Sequence, residues 1–275
     1  MAFAPGPLSL PARLAAAARK ELPEPVRVGL RSFRRVSRRA IRRVPLTIRI
    51  PIRDSFQRAA LRIGQGEVVP AAEFESFLTG HLRRMSGDVV LAGDYMEFGV
   101  YLGTSLGAAV RAFDSCRLSG WRFFGFDSFA GLPDDAERDG WAPGLYAASR
   151  SVAEWHLRRL GVLDRVTLVE GWFDETLTPA TIEKHQLQRV LVAMVDCDTY
   201  GSATTALRFV EPLLAPRCLV ILDDWYTMNP SGDLVEGERR AFEELLADCP
   251  QWRSVDLGRV GFCGRAFELC RNERP

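Results

Sequence analysis

The chain has 275 residues, 47% of them apolar, and a formal net charge of +1. That length accommodates a full core with an extension, and no apolar run approaches the ~20 residues a membrane span needs. The near-neutral total hides an asymmetry: Arg27–Arg62 carries twelve arginines against one acid, Asp54, a local charge of +11, which leaves −10 on the rest. The basic arm and the remainder therefore read as separate parts, 1–70 and 71–275.

Residues 1–25 are rich in Ala and Pro, with a short helical run around Leu10–Leu22. There is no charged leader segment and Arg13 breaks the apolar stretch, so a secretory signal is not expected. From Arg27 to Val44, Leu30, Phe33, Val36, Ala40, Ile41 and Val44 recur at helical spacing between arginines. This reads as a basic amphipathic helix that packs on the core or a partner subunit, lies on a membrane surface, or contacts nucleic acid. Few aromatic residues interleave with the arginines, which disfavours nucleic acid. Pro45 and Pro51 bracket a segment expected to be extended.

Ala71–Met85 reads as a helix burying Phe74, Phe77, Leu78 and Leu82. Strands and helices then alternate. Strands are expected at Asp94–Val100, Trp121–Asp127, Val166–Val169, Val190–Val195 and Cys218–Leu222. The intervening helices fall near Thr104–Phe113, Val152–Leu160, Pro179–His185, Ala203–Leu214 and Glu236–Asp248. Arg253–Leu257 and Ala266–Cys270 follow without a long helix between them, so they should pair antiparallel. The pattern predicts an α/β, doubly wound, mostly parallel seven-stranded sheet with one antiparallel edge.

Chemistry concentrates where strands end. Val190–Val195 runs into Asp196 and Asp198, and Cys218–Leu222 into Asp223 and Asp224. If strand geometry persists, Asp196 and Asp198 point to one side. Like charges at a buried strand end need a cation or a shared proton, and four carboxylates at one sheet edge suggest a hard divalent cation. The alternative for Asp223–Asp224 is a strand-end turn with acids at the next helix N-terminus. Glu97–Ser105 places Gly99 and Gly103 around a strand-to-helix turn, where backbone can approach a ligand. Neither GxGxxG nor GxxxxGK[ST] spacing is present. Asp127 ends the next strand, where an acid can accept from ribose hydroxyls or simply cap a loop.

The six cysteines show no CxxC spacing and read as reduced, packed thiols of a cytoplasmic protein. His81, His156 and His185 fall in expected helices at no useful mutual spacing. Trp141, Tyr146 and Trp225 sit beside the same sheet edge, either as an acceptor wall or as packing.

Together, EFGVYLGTS, FGFDSFAGLP, VEGWFDETL, DCDTYGS, ILDDW and GERRAF, in this order between about Tyr95 and Phe242, resemble the macrocin O-methyltransferase family of antibiotic biosynthesis. These are class I, S-adenosylmethionine- and Mg²⁺-dependent enzymes acting mainly on sugar hydroxyls. The resemblance implies that Glu97, Gly99, Gly103, Thr104 and Ser105 line the amino-acid end of S-adenosylmethionine. Asp127, Ser128 and Phe129 would lie by the ribose, and Gly171 and Phe173 by the adenine. Asp196, Asp223 and Asp224 would hold magnesium, Asp198 would be the general base, and Gly237 and Glu238 would lie near the acceptor. One departure touches the acceptor side: the family's acid after the DxDxY tyrosine is Gly201 here. The implied acceptor is a small, glycosylated molecule and the implied assembly a homo-oligomer. The rival expectations are a catechol-type enzyme on this fold, and an idle fold that works through the basic arm.

Overall fold

The structure is a computed structural model that describes residues 45–65, 67, 69–85, 93–229 and 232–272. The amphipathic helix expected at Arg27–Val44 lies outside the described residues. A compact unit begins at Arg53, within the first described helix.

The first described element corrects an expectation. Pro45–Pro51 is not extended; α1 runs from Leu46 to Arg62 with Pro51 inside it. Pro45 precedes the first turn and accepts from the amides of Ile48 and Arg49, so its missing N–H costs nothing there. Pro51 forfeits one intrahelical bond, but glycine-free sequence on both sides carries the helix through it. Within the compact unit, the later turns of α1 make local contacts. Leu61 packs with Leu102, Ala148 and Val152, Gln57 donates to the Ala147 carbonyl at 3.0 Å, and Arg53 reaches the Ser149 hydroxyl at 2.9 Å. Arg58 and Arg62 lie over the Trp155 ring.

Helix α2, Ala71–Met85, has the expected bounds and buries Phe74, Leu78, Leu82 and Met85. The alternation then follows: β1 Asp94–Phe98, α3 Thr104–Ser115, β2 Arg122–Asp127, α4 Arg150–Arg159, β3 Val166–Glu170, and the short α5 Phe173–Thr176. After these come α6 Pro179–His185, β4 Val190–Val195, α7 Tyr200–Val210, β5 Leu214–Leu222, the small pair β6 Thr227–Met228 and β7 Leu234–Val235, α8 Gly237–Asp248, β8 Trp252–Val260 and β9 Gly264–Arg271.

The seven-stranded sheet has the order β3-β2-β1-β4-β5-β9-β8. The five strands β3 to β5 are parallel, and β9 pairs antiparallel with both β5 and β8. The terminal hairpin is thus the antiparallel edge that the sequence pattern required. Every residue of β1 and β4 is buried, as expected for strands covered by helices on both faces.

The order reverses between β1 and β4, so the connections leaving these strands diverge and open a crevice at their carboxyl ends. The ladder continues one residue beyond each strand: Asp196 donates to the Phe98 carbonyl and Asp223 to the Val195 carbonyl, each at 2.9 Å. Gly99 sits at this switch point with φ +96°, and a Cβ there would come within 1.7 Å of the Asp196 carbonyl oxygen. Only glycine fits so close an approach. At the opposite end, Arg122 grips buried Asp94 with two 2.7 Å bonds and donates to the carbonyls of His185 and Gln186. No helix among the described residues is long and apolar enough to cross a membrane.

Candidate active site

A cavity of about 530 Å³ opens at the carboxyl ends of β1, β2 and β4. Of the residues expected to form a site, Gly99, Asp127, Ser128, Phe173, Asp196, Asp198 and Asp224 line it. The others stand behind the wall. Gly103, in the left-handed region at φ 76°, turns the chain into α3, where Thr104 and Ser105 are buried. Phe129 is buried too, whereas Gly171 is half-buried. Asp223 follows the same strand end as Asp224 but is outside the lining; a Cβ on Gly261, in the β8–β9 turn, would lie 3.8 Å from its Oδ1.

Asp127 organises the cavity floor. Its Oδ2 accepts from the amides of Val100 at 2.7 Å and Tyr101 at 2.8 Å, and its Oδ1 from Phe129 at 2.6 Å. Burial nevertheless raises its carboxyl above the usual range, against the pull of those three amides. It therefore fixes the β1 turn, the capping role the sequence offered, while also lining the cavity.

Glu97 lies fully buried beneath that turn. Tyr95 donates to one oxygen at 2.6 Å and Ser105 to the other at 2.8 Å. Burial dominates these bonds and lifts its pKa from 4.5 to about 8. Between those values the folded chain keeps a proton the unfolded chain has lost, so this group makes stability fall as pH rises from about 4.5 to about 8. Glu97→Gln should flatten the dependence, which approaches about 1.4 kcal/mol per pH unit for one such group. Denaturant unfolding at pH 5, 6, 7 and 8 measures it, and equal slopes in both proteins would contradict the assignment.

The acids at the ends of β4 and β5 form the other side. Asp198 and Asp224 are buried, and burial followed by the Asp224 charge raises the Asp198 carboxyl; the two side chains also hydrogen-bond to one another. Burial, then Asp223, Asp224 and Asp198, raises Asp196. Asp223 is lifted to about 7 by burial and by Asp224. Asp198 corrects the period-two argument: β4 stops at Val195, and Asp198 adopts a left-handed φ of 61°. A turn, not a continued strand, brings it to the wall beside Asp196.

Glu238, expected near the acceptor, instead lies fully buried behind the acids as α8 begins. It accepts from the amides of Cys197 at 2.9 Å and Asp224 at 3.0 Å. Gly237 is needed beside it, since a Cβ there would lie 2.8 Å from the Tyr200 nitrogen.

Several wall residues escaped the sequence reading, among them two aromatic residues and two rim acids. Tyr101 and Trp172 sit inside motifs that carry the resemblance, next to residues that were singled out. Asp134 and Asp135 belong to a 3₁₀ helix, Asp134–Asp139, in a connection without periodicity. Of the three aromatic residues proposed as a wall, Tyr146 lines the cavity, edge-on to Tyr101 at 6.0 Å. Trp141 packs with Leu132, Ala136 and Val235, and Trp225 against Phe242 and Phe267. None of the three histidines lines the cavity, and burial depresses His81 to about 4. All six cysteines are free thiols.

The macrocin-O-methyltransferase family (TylF) matches residues 80–248. The chain belongs to that family. Among curated relatives, a demethyldecarbamoylnovobiocin O-methyltransferase of Streptomyces niveus is 29% identical over 59% of this chain and 65% of its own. An 8-demethyl-8-(2,3-dimethoxy-alpha-L-rhamnosyl)-tetracenomycin-C 4'-O-methyltransferase of Streptomyces olivaceus is 34% identical over 54% of this chain and 58% of its own. The chain thus spans less than two thirds of the length of these relatives. The solved O-methyltransferase NovP shares the fold, with a TM-score of 0.58 at 23% identity over 72% of this chain and 80% of that one. In this macrocin O-methyltransferase family member, the matched region contains the cavity and all its carboxylates.

Among the described residues no three Asp, Glu, His or Cys side chains are arranged to hold a metal ion. The donor set itself suits a hard cation. Asp196, Asp198 and Asp224 are oxygen donors whose charges oppose one another, and no Lys, Arg or His lines the cavity with them.

Proposed function

We propose that this protein transfers a methyl group from S-adenosylmethionine to a hydroxyl of a glycosylated small molecule. The observation that carries the reading is one cavity at the sheet's switch point, with Asp127 on the β2 side and Asp196, Asp198 and Asp224 on the β4–β5 side. The family membership supports the reaction class, and the relatives' sugar and natural-product acceptors support the acceptor class.

In this reading Gly99 and the turn into α3 admit the methionine end of the donor, with Glu97, Thr104 and Ser105 fixing that turn from behind. Asp127 and Ser128 bind near the ribose, with Phe129 supporting them, and Phe173 and Gly171 lie by the adenine. Asp198 takes the proton of the acceptor hydroxyl while its oxygen forms a bond to the methyl carbon and the carbon–sulfur bond breaks. The neutral thioether leaves. Holding oxygen, carbon and sulfur in line accounts for most of the acceleration. Asp196 and Asp224, with Asp223 beside them, would hold Mg²⁺, which when bound polarises the acceptor hydroxyl. The free thiols fit a reducing, cytoplasmic setting, and the arginine-rich arm remains our candidate for a subunit or membrane-surface contact.

Calorimetric titration of S-adenosylmethionine with and without Mg²⁺, on the wild type and Asp196→Ala, tests the proposal. Donor binding should survive in the variant while Mg²⁺ binding is lost. Absence of donor binding under every condition would overturn the methyltransferase reading.

A further inference from the structure

The proposed chemistry gives Tyr146 no task, yet its surroundings are built to hold it in the cavity wall. It lies in the connection between β2 and α4. Just before it that connection closes on itself: Leu132 donates to the Leu145 carbonyl at 2.9 Å and Gly144 to the Leu132 carbonyl at 2.8 Å. The approach needs Gly131, where a Cβ would lie 2.4 Å from the Leu145 carbonyl oxygen. Just after it, Gln57 of α1 donates to the Ala147 carbonyl, and Leu61 packs with Ala148. Leu61 also packs with Leu102, the neighbour of Tyr101, whose own amide is held by Asp127. One helix thus braces the backbone beside both tyrosines.

Both are left-handed, Tyr101 at φ 49° and Tyr146 at φ 57°, a region that a bulky side chain occupies where its surroundings impose it. Their rings meet edge-on at 6.0 Å, and the Trp141 ring stands 6.4 Å from Tyr146 on its other contact. What this scaffold presents is a phenol. Tyr146 is 36% exposed and lines the same cavity as Asp196, Asp198 and Asp224. Its hydroxyl has no hydrogen-bond partner among the described residues. Burial, then the charges of Asp198, Asp224 and Asp196, raise the phenol, so it keeps its proton and has it to donate.

Resting on the methyltransferase reading, we propose that Tyr146 binds the acceptor directly: its hydroxyl donates to a sugar oxygen next to the one that is methylated, and so selects acceptors that carry this second oxygen. The reacting hydroxyl gives its own proton to Asp198, and the neighbouring oxygen that Tyr146 holds changes no bond. The contact is therefore equally strong before and during transfer. It sets acceptor affinity and leaves the chemical step alone. A site built to pair with a hydroxyl also rejects an analogue that lacks it.

The test uses the full chain with saturating S-adenosylmethionine and Mg²⁺, and methyl transfer to p-nitrophenyl glucoside, p-nitrophenyl rhamnoside and the monodeoxy analogues of whichever is methylated. In Tyr146→Phe, which keeps the ring, KM for the acceptor should rise about fivefold, the size of one net hydrogen bond. Its kcat should stay within about twofold, and donor affinity should not change. One monodeoxy analogue, lacking an oxygen beside the methylated position, should show the same KM in wild type and variant. An acceptor KM within about twofold of wild type, a kcat lowered by more than that, or a KM increase equal for the parent and every analogue would each overturn this proposal. Methylation of neither glycoside by the wild type would instead overturn the acceptor reading on which it rests.

Discussion

Asp198→Asn should lower kcat for methyl transfer by about 10²–10⁴-fold, the range for loss of a positioned general base, while S-adenosylmethionine affinity changes less than about threefold. Asparagine is the informative replacement. Position 198 has φ 61°, a region asparagine enters more readily than other non-glycine residues, so the turn survives. The amide also keeps a polar partner for the Asp224 side chain. Alanine would instead add left-handed strain of about 1–2 kcal/mol and confuse folding with chemistry. Single-turnover transfer from labelled donor, with donor affinity measured separately, gives both numbers. Activity within fivefold of wild type would mean that another group, or water, removes the proton.

The second large effect is on stability. Glu238 is fully buried and holds two amides that belong to different strand ends, Cys197 after β4 and Asp224 after β5. Glu238→Ala leaves both donors without a partner, at about 1–3 kcal/mol each, and opens a small void. A loss of about 3–5 kcal/mol is expected. Glu238→Gln provides one acceptor but turns its NH₂ toward the other amide, so it should recover about half. Urea unfolding should rank wild type above Gln and Gln above Ala. An alanine variant within 1 kcal/mol of wild type would show that water replaces the carboxylate.

The sheet was legible in the sequence because its central strands are buried on both faces. Val190–Val195 and Ala71–Met85 have their expected bounds, and the terminal hairpin pairs as the missing helix implied. Boundaries slipped where a cap begins the element: Thr199 accepts from the Ser202 amide and starts α7 three residues ahead of Ala203, its first fully buried residue. The carboxylates were legible as strand-end acids. What placed them was not, since Asp198 reaches the wall through a left-handed turn that period-two reasoning cannot supply. Glu238 was harder still. In the sequence it is an ordinary acid in the first turn of a helix, and nothing local reveals that it is buried against two amides 14 and 41 residues away. Asp134 and Asp135 were missed because an aperiodic connection gives no sign of which sheet edge it crosses.

Three wall residues, Tyr101, Tyr146 and Asp198, and Phe129 beside them, are non-glycine residues in the left-handed region. Each such residue stores roughly 1–3 kcal/mol. For laboratory evolution this sets opposite gradients at the same codons. Selection for heat resistance alone should drift these positions toward glycine or asparagine, relaxing the loops and dulling the pocket. Selection on product formation should hold the aromatic rings and carboxylate in place and recruit its stabilising changes from distant helices instead.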